Sequence, residues 1–200
     1  MTAEFWIVPE ALDDLPAILA GFDRPWWVAG GWAIDLFLGA ETREHEDVEI
    51  SVLFDDQEAL REAMRSWELH VVVDTGVLSP WESGDGVEVP RHQLWARRAA
   101  DAPWSLEILF ELCEGSDWVY RRDQRIRRPL SSFGTRAAED AGGLPIVAPE
   151  IQLLFKSSNA REKDEHDFAS ALPALPDEAR GWLRSALTTV APAHPWLERL

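Results

Sequence analysis

The run Asp47-Val48-Glu49-Ile50-Ser51-Val52 interleaves acidic or polar residues with β-branched apolar ones, a pattern that few folds satisfy. In an extended strand successive side chains leave opposite faces. Val48, Ile50 and Val52 must therefore be covered, while Asp47 and Glu49 leave together on the other face with Cα atoms about 6.5–7 Å apart. A later stretch repeats the device: Leu106, Ile108, Phe110 and Leu112 share one face, Glu107 and Glu111 the other. The chain thus needs a sheet with one apolar face and one that carries carboxylates. If the two strands are neighbours, Asp47, Glu49 and Glu107 converge, with Glu111 as the rival third acid.

Other elements follow from punctuation and period. Trp26–Ala29 reads as a short buried strand, broken at Gly30-Gly31, and Trp32–Leu38 as a helix that stops at Gly39. Two glycines at a strand-to-helix turn let a backbone approach a phosphate, and the helix start offers free N–H groups, although such a pair is more often only a tight turn. Helices are expected at Pro9–Leu19 and from Asp55 to Arg65. Strands are expected at Leu69–Val73, Val89–Ala96 and Trp104–Leu112, with a loop over Asp74–Gly86 and a hairpin over Trp118–Arg127. Gly142, Gly143 and Pro145 read as a linker, followed by helices at Glu150–Ser157, Glu162–Leu172 and Asp177–Val190. The expected class is α+β: a mixed sheet flanked by helices over residues 1–130, then a small C-terminal helical module over residues 145–200.

Charge narrows the partners. Thirty-six acids against nineteen bases leave a formal charge of -17. Such a field repels nucleic acid and anionic membranes and attracts a small cationic compound. Pro25–Ala40, the longest apolar stretch, is too short to span a bilayer and is interrupted by Asp35. Cys113 has no second cysteine to pair with, and no basic, apolar leader is visible, so a cytoplasmic protein is expected. The oligomeric state stays open. Most of the eleven tryptophans read as core filling, with a few available to line a cleft. The five arginines of Arg121–Arg128 read as an RNA patch or as a solvated hairpin, and the acidic field favours the hairpin. Only two lysines occur, Lys156 and Lys163; His166 and His194 read as surface residues.

An isolated Asp-x-Glu in so acidic a chain is usually a solvated strand face, but its context adds to it. Gly30-Gly31-Trp32-Ala33-Ile34-Asp35, then Thr42-Arg43-x-His45-x-Asp47-Val48-Glu49-Ile50, then a later acidic strand, resembles the polymerase-β-like nucleotidyltransferase superfamily. Within it the chain is most similar to small bacterial aminoglycoside and lincosamide nucleotidyltransferases, especially the aminoglycoside 2″-adenylyltransferase group. Pro149-Glu150-x-Gln152-Leu153-Leu154-x-Lys156 and Arg161-x-Lys163-Asp164-x-x-Asp167 look like the helical tail of such proteins.

The resemblance implies transfer of a nucleoside monophosphate, AMP from ATP, to a hydroxyl of a small cationic compound such as an aminoglycoside. It makes Asp47, Glu49 and Glu107 the ligands of Mg²⁺ or Mn²⁺, an all-oxygen set suited to hard cations. It makes Glu107 the base, and Gly30, Gly31, Arg43, His45 and Lys156 the nucleotide contacts. Glu49 and Glu107 stand where aspartate is usual. The alternatives are a nucleotidyltransferase toxin that modifies RNA or protein, and a binding protein that keeps the fold without turnover.

Overall fold

The computed structural model describes residues 7–82, 84–137 and 143–200. Gly142 of the expected linker and the first six residues lie outside them. The acid-bearing strand is β2 (Glu49–Leu53), and its apolar side chains Ile50 and Val52 are fully buried. It pairs in parallel with β6 (Leu106–Glu114) on one side and antiparallel with β1 (Trp26–Val28) on the other. From β6 the sheet continues antiparallel through β5 (Gln93–Arg97), β3 (Glu68–Asp74) and β4 (Val77–Pro80). Beyond β1 lie β10 (Pro145–Val147), parallel, and β9 (Gly134–Arg136), antiparallel. The far end of β6 pairs with β7 (Asp117–Val119), which forms a hairpin with β8 (Arg127–Pro129).

The two faces of this mixed sheet serve different purposes. On the apolar face, Val28, Ile50, Val52, Leu94, Ile108 and Phe110 are sealed by α1 (Leu15–Ile18) and α3 (Gln57–Ala63), through buried Leu15, Leu19, Leu60 and Met64. The second core joins α2 (Gly30–Leu38), α4 (Pro149–Ser157), α5 (Glu162–Ala171) and α6 (Asp177–Val190) to the β7–β8 hairpin, through buried Ile34, Trp118, Phe133, Leu154, Phe168 and Leu187. Among the described residues no helix is long and apolar enough to cross a membrane.

Four expectations need correction. The first helix is a 3-10 turn at Leu12–Asp14 and a four-residue α-helix carrying Pro16 near its start. The helix expected from Asp55 begins only at Gln57, because Phe54–Asp56 forms a 3-10 turn. The loop over Asp74–Gly86 contains β4, joined to β3 around Gly76 at φ 70°. Pro145, read as linker, begins β10, where Ile146 is fully buried opposite Val28.

Candidate active site

The parallel register of β2 and β6 sets Glu49 directly opposite Glu107, and their shared face places both acids above the sheet. Glu107 N–H donates to the Val48 carbonyl at 2.9 Å and Ala29 N–H to the Glu49 carbonyl at 2.8 Å. The start of β2, the start of β6 and the β1–α2 turn are thereby tied at one point. Gly30 opens α2 at φ 66°, and a Cβ there would fall 1.5 Å from Glu49 Oε2. The Glu49 carboxylate occupies the notch that the missing side chain leaves. Gly31 makes similar room: a Cβ would lie 2.1 Å from an Arg43 guanidinium nitrogen and 2.6 Å from the His45 ring.

Crowding of acids shapes their titration. Burial, then the charge of Asp47, pushes the Glu49 carboxyl up to about 7, despite opposition from Lys156. Burial, then Glu49 and Asp47, holds Glu107 well above the ordinary carboxylate range, although Gln93 Nε2 donates to it at 2.7 Å. Among the described residues, no three carboxylate, histidine or cysteine side chains are gathered tightly enough to hold a metal ion as they stand, so the full convergence expected of Asp47, Glu49 and Glu107 is not formed. The donor chemistry still fits a hard divalent cation. It is all oxygen, and the burial and neighbouring charge that raise both glutamates are what such a cation would offset.

A cavity of about 410 Å³ opens over this face. Its floor carries Glu49, Ser51, Glu107 and Glu111, and its opposite wall carries Gln152, Phe155 and Lys156 of α4, with Arg161 and Asp164 beyond. Lys156 reaches the wall as expected, but it is held there by Asp167 at 2.8 Å and Asp164 at 3.4 Å. Asp167 is fully buried and also clamps Arg43 with two hydrogen bonds, at 2.8 and 3.0 Å.

Other expected contacts fall elsewhere. Arg43 and His45 do not line the cavity. The His45 ring, 2% exposed, bonds Asp35 at 2.6 Å and stacks on Trp32, while Asp35 also accepts from the Thr42 amide and hydroxyl. These residues fix the 42–47 loop to α2 and α5. The Gly30 N–H, expected to meet phosphate, donates to Gln152 Oε1 at 3.0 Å. The rival acid Glu111 is buried in a structural cluster, accepting from Trp118 Nε1 at 3.0 Å and Arg121 at 3.1 Å. Lys163 pairs with exposed Glu46 at 3.3 Å.

The arginine run divides. Arg125 and Arg127 pair with Asp123 and Glu114, as a solvated hairpin would, whereas Arg128 is largely covered and pairs with buried Glu150 of α4. Arg121 and Arg122 instead line the cavity, against the Phe155 ring. Gln93, Gln152, Arg121, Arg122 and Arg161 are the residues that sequence reasoning gave no place at the site. One signal was available: Gln152 and Lys156 stand four apart, on one face of a helix.

Solved structures share this fold. The lincomycin-bound lincosamide antibiotic adenylyltransferase LnuA superposes with a TM-score of 0.58 at 16% identity, over 84% of this chain and 100% of that one. ANT(2″)-Ia in complex with adenylyl-2″-tobramycin gives 0.56 at 15% identity, over 90% and 97%. An antigenic nucleotidyltransferase-like protein from Paracoccidioides brasiliensis gives 0.50 at 16% identity, over 96% and 94%. At these identities the likeness is one of fold. Curated protein sequences give no match. A family model described as aminoglycoside-2″-adenylyltransferase matches residues 11–171, most of the chain. The chain belongs to the aminoglycoside-2″-adenylyltransferase family, a family of nucleotidyltransferases.

Proposed function

We propose that this protein transfers AMP from ATP to a hydroxyl of a small cationic compound such as an aminoglycoside. The observation that carries the reading is the Glu49–Glu107 pair, set against Gly30 on one side and facing Lys156 across the cavity. Nucleotidyl transfer asks a protein mainly to position its reactants and to neutralise charge. Asp47, Glu49 and Glu107 would hold Mg²⁺ or Mn²⁺, which neutralises the triphosphate when bound.

Glu107 is the base. It stands on the cavity floor beside Glu49, within reach of an acceptor hydroxyl, and Gln93 fixes the orientation of its carboxylate. Lys156 lends a positive charge to the phosphates, and Asp167 keeps its ammonium on the cavity wall. Arg43 and His45 act at one remove, by fixing the loop that ends at Asp47. Residues 1–130 form the transfer unit and residues 145–200 the helical module that completes the cleft. The acidic field gathers a cationic acceptor and disfavours nucleic acid, and the reaction belongs in the cytoplasm, where ATP is supplied. The test is a panel of aminoglycosides and lincosamides incubated with ATP and Mg²⁺ and scored for pyrophosphate release. Acceptor-dependent release supports the reading, and none across the panel rejects it.

A further inference from the structure

We infer that the acceptor lies across the β5 side of the site and continues into a second cavity, so that it carries an uncharged, apolar portion about 10 Å from the hydroxyl that reacts. The inference rests on the AMP-transfer reading and narrows its acceptor. An in-line transfer puts the incoming hydroxyl opposite the departing pyrophosphate. Lys156 stands on α4, which Gln152 ties to Gly30 at the β1 edge of the site. The strands run in the order β1, β2, β6, β5, β3, β4, so the base on β6 is approached from β5.

In that direction the sheet continues as an apolar floor. Trp95 opposes Glu107 on one side and His70 on the other, and Val72, two residues after His70, shares their face. Val72 in turn opposes Leu78. Val72, Leu78 and Trp95 are only partly buried, and with Pro90 they line a cavity of about 440 Å³. His92 and Gln93 line both this cavity and the one over the acids, so the two are continuous. Val72 lies two strands from Glu107, about 10 Å across the sheet, beyond the reach of a single sugar ring.

Charge favours the same occupant. Asp74 and Arg91, exposed at the rim of the second cavity, offset each other. At the junction His92 Nδ1 bonds the Pro90 carbonyl at 2.9 Å, so Nδ1 holds the proton and Nε2 is left to accept a hydrogen bond. Burial, then the charge of Arg121, lowers the affinity of this ring for a second proton, and Arg122 acts in the same direction. An acceptor crowded with ammonium groups meets the same repulsion from Arg121 and Arg122. A single ammonium can be met at the reacting end, by Glu49 and Glu107.

Pyrophosphate release with ATP and Mg²⁺ tests the inference on three acceptors: lincomycin, which joins an amino sugar to an alkylated proline; that amino sugar alone; and kanamycin, which carries several ammonium groups and no apolar portion. Val72→Thr keeps the shape of the side chain, and Leu78→Asn lies on β4, three strands from Glu107, so neither alters a reacting group. The expected result is a kcat/KM for lincomycin about tenfold or more above those of the other two. Either variant should raise the KM for lincomycin about fivefold or more, with kcat, the KM for ATP and turnover of the amino sugar within about twofold of wild type. Val77→Thr, exposed on β4 and outside the cavity, should match wild type. Equal kcat/KM for lincomycin and its amino sugar, a preference for kanamycin, or an unchanged lincomycin KM in both cavity variants overturns the apolar subsite and leaves AMP transfer standing. No pyrophosphate release with any of the three overturns both.

Discussion

Glu49 and Glu107 are register partners across the parallel β2–β6 pair, so two carboxylates are forced together over one face of the sheet by backbone pairing. Neither has a basic residue within ion-pair distance among the described residues. Burial first, then the charge of Asp47 on Glu49 and of Glu49 and Asp47 on Glu107, raises both above the usual carboxylate range, and that gives a consequence for stability.

The native protein holds a proton on Glu49 up to about pH 7, whereas an ordinary glutamate releases it near 4.5. Between those values the native state binds more protons than the unfolded chain. Stability therefore falls as pH rises through this window, and the loss is complete above it. In metal-free buffer the Tm should be higher at pH 5 than at pH 8, and Glu49→Gln should flatten the difference. Mg²⁺ added at pH 8 should raise the Tm of the wild type and not of Glu49→Gln. An unchanged pH slope in the variant contradicts the assignment.

The two acids of β6 should separate cleanly. Glu107→Gln removes a base and relieves repulsion, so turnover should fall by about 10²–10⁴ while the Tm holds or rises. Glu111→Gln weakens a buried pair with Arg121 and should cost about 1–3 kcal/mol of stability. Activity measured below its Tm should survive. Paired kinetic and thermal measurements on both variants check this, and the reverse pattern would move the base to Glu111.

Gly30 and Gly39 offer a controlled comparison, because both have positive φ, 66° and 69°. Alanine at either should cost about 1–2 kcal/mol in backbone strain. Only at Gly30 does the new Cβ meet Glu49, since nothing lies within 4 Å of the corresponding position at Gly39. Gly30→Ala should therefore abolish turnover and lower the Tm further than Gly39→Ala, which should retain turnover.

Asp167 binds two cations from separate elements, so its loss should exceed that of either partner. Asp167→Ala leaves Arg43 and Lys156 without it and should destabilise by about 3–5 kcal/mol, read by urea unfolding. Lys156→Ala keeps the Arg43–Asp167 pair, so the fold should hold while the KM for ATP rises.

Much of this site is legible in the amino-acid sequence alone, and the boundary of legibility has a physical basis. Alternation puts Glu49 and Glu107 on polar faces, because a one-residue slip would expose Ile50 and Ile108. That the strands are adjacent was only a condition in the sequence reading, and that they are parallel is seen only in the fold, since a single sequence carries no record of long-range pairing. Strands β4 and β10 went unread because they are short and carry Pro80 and Pro145, so partners define them more than their own pattern does. The direction of Arg121 and Arg122 was hidden for a similar reason. It follows from where Trp118 and Tyr120 pack against α4, and no local period encodes that. The Gly30–Gln152 bond joins a turn to a helix far along the chain, so the glycine pair alone suggested a free phosphate site that folding fills.

The central claim is that the Glu49–Glu107 face transfers AMP to a small acceptor. Mass spectrometry of the acceptor after incubation with wild type, ATP and Mg²⁺ tests it most directly, with Glu107→Gln run in parallel. The account predicts an acceptor heavier by one AMP, formed with one pyrophosphate per product by the wild type and barely detectable with the variant. An unmodified acceptor across aminoglycosides and lincosamides, or equal product from Glu107→Gln, would contradict it.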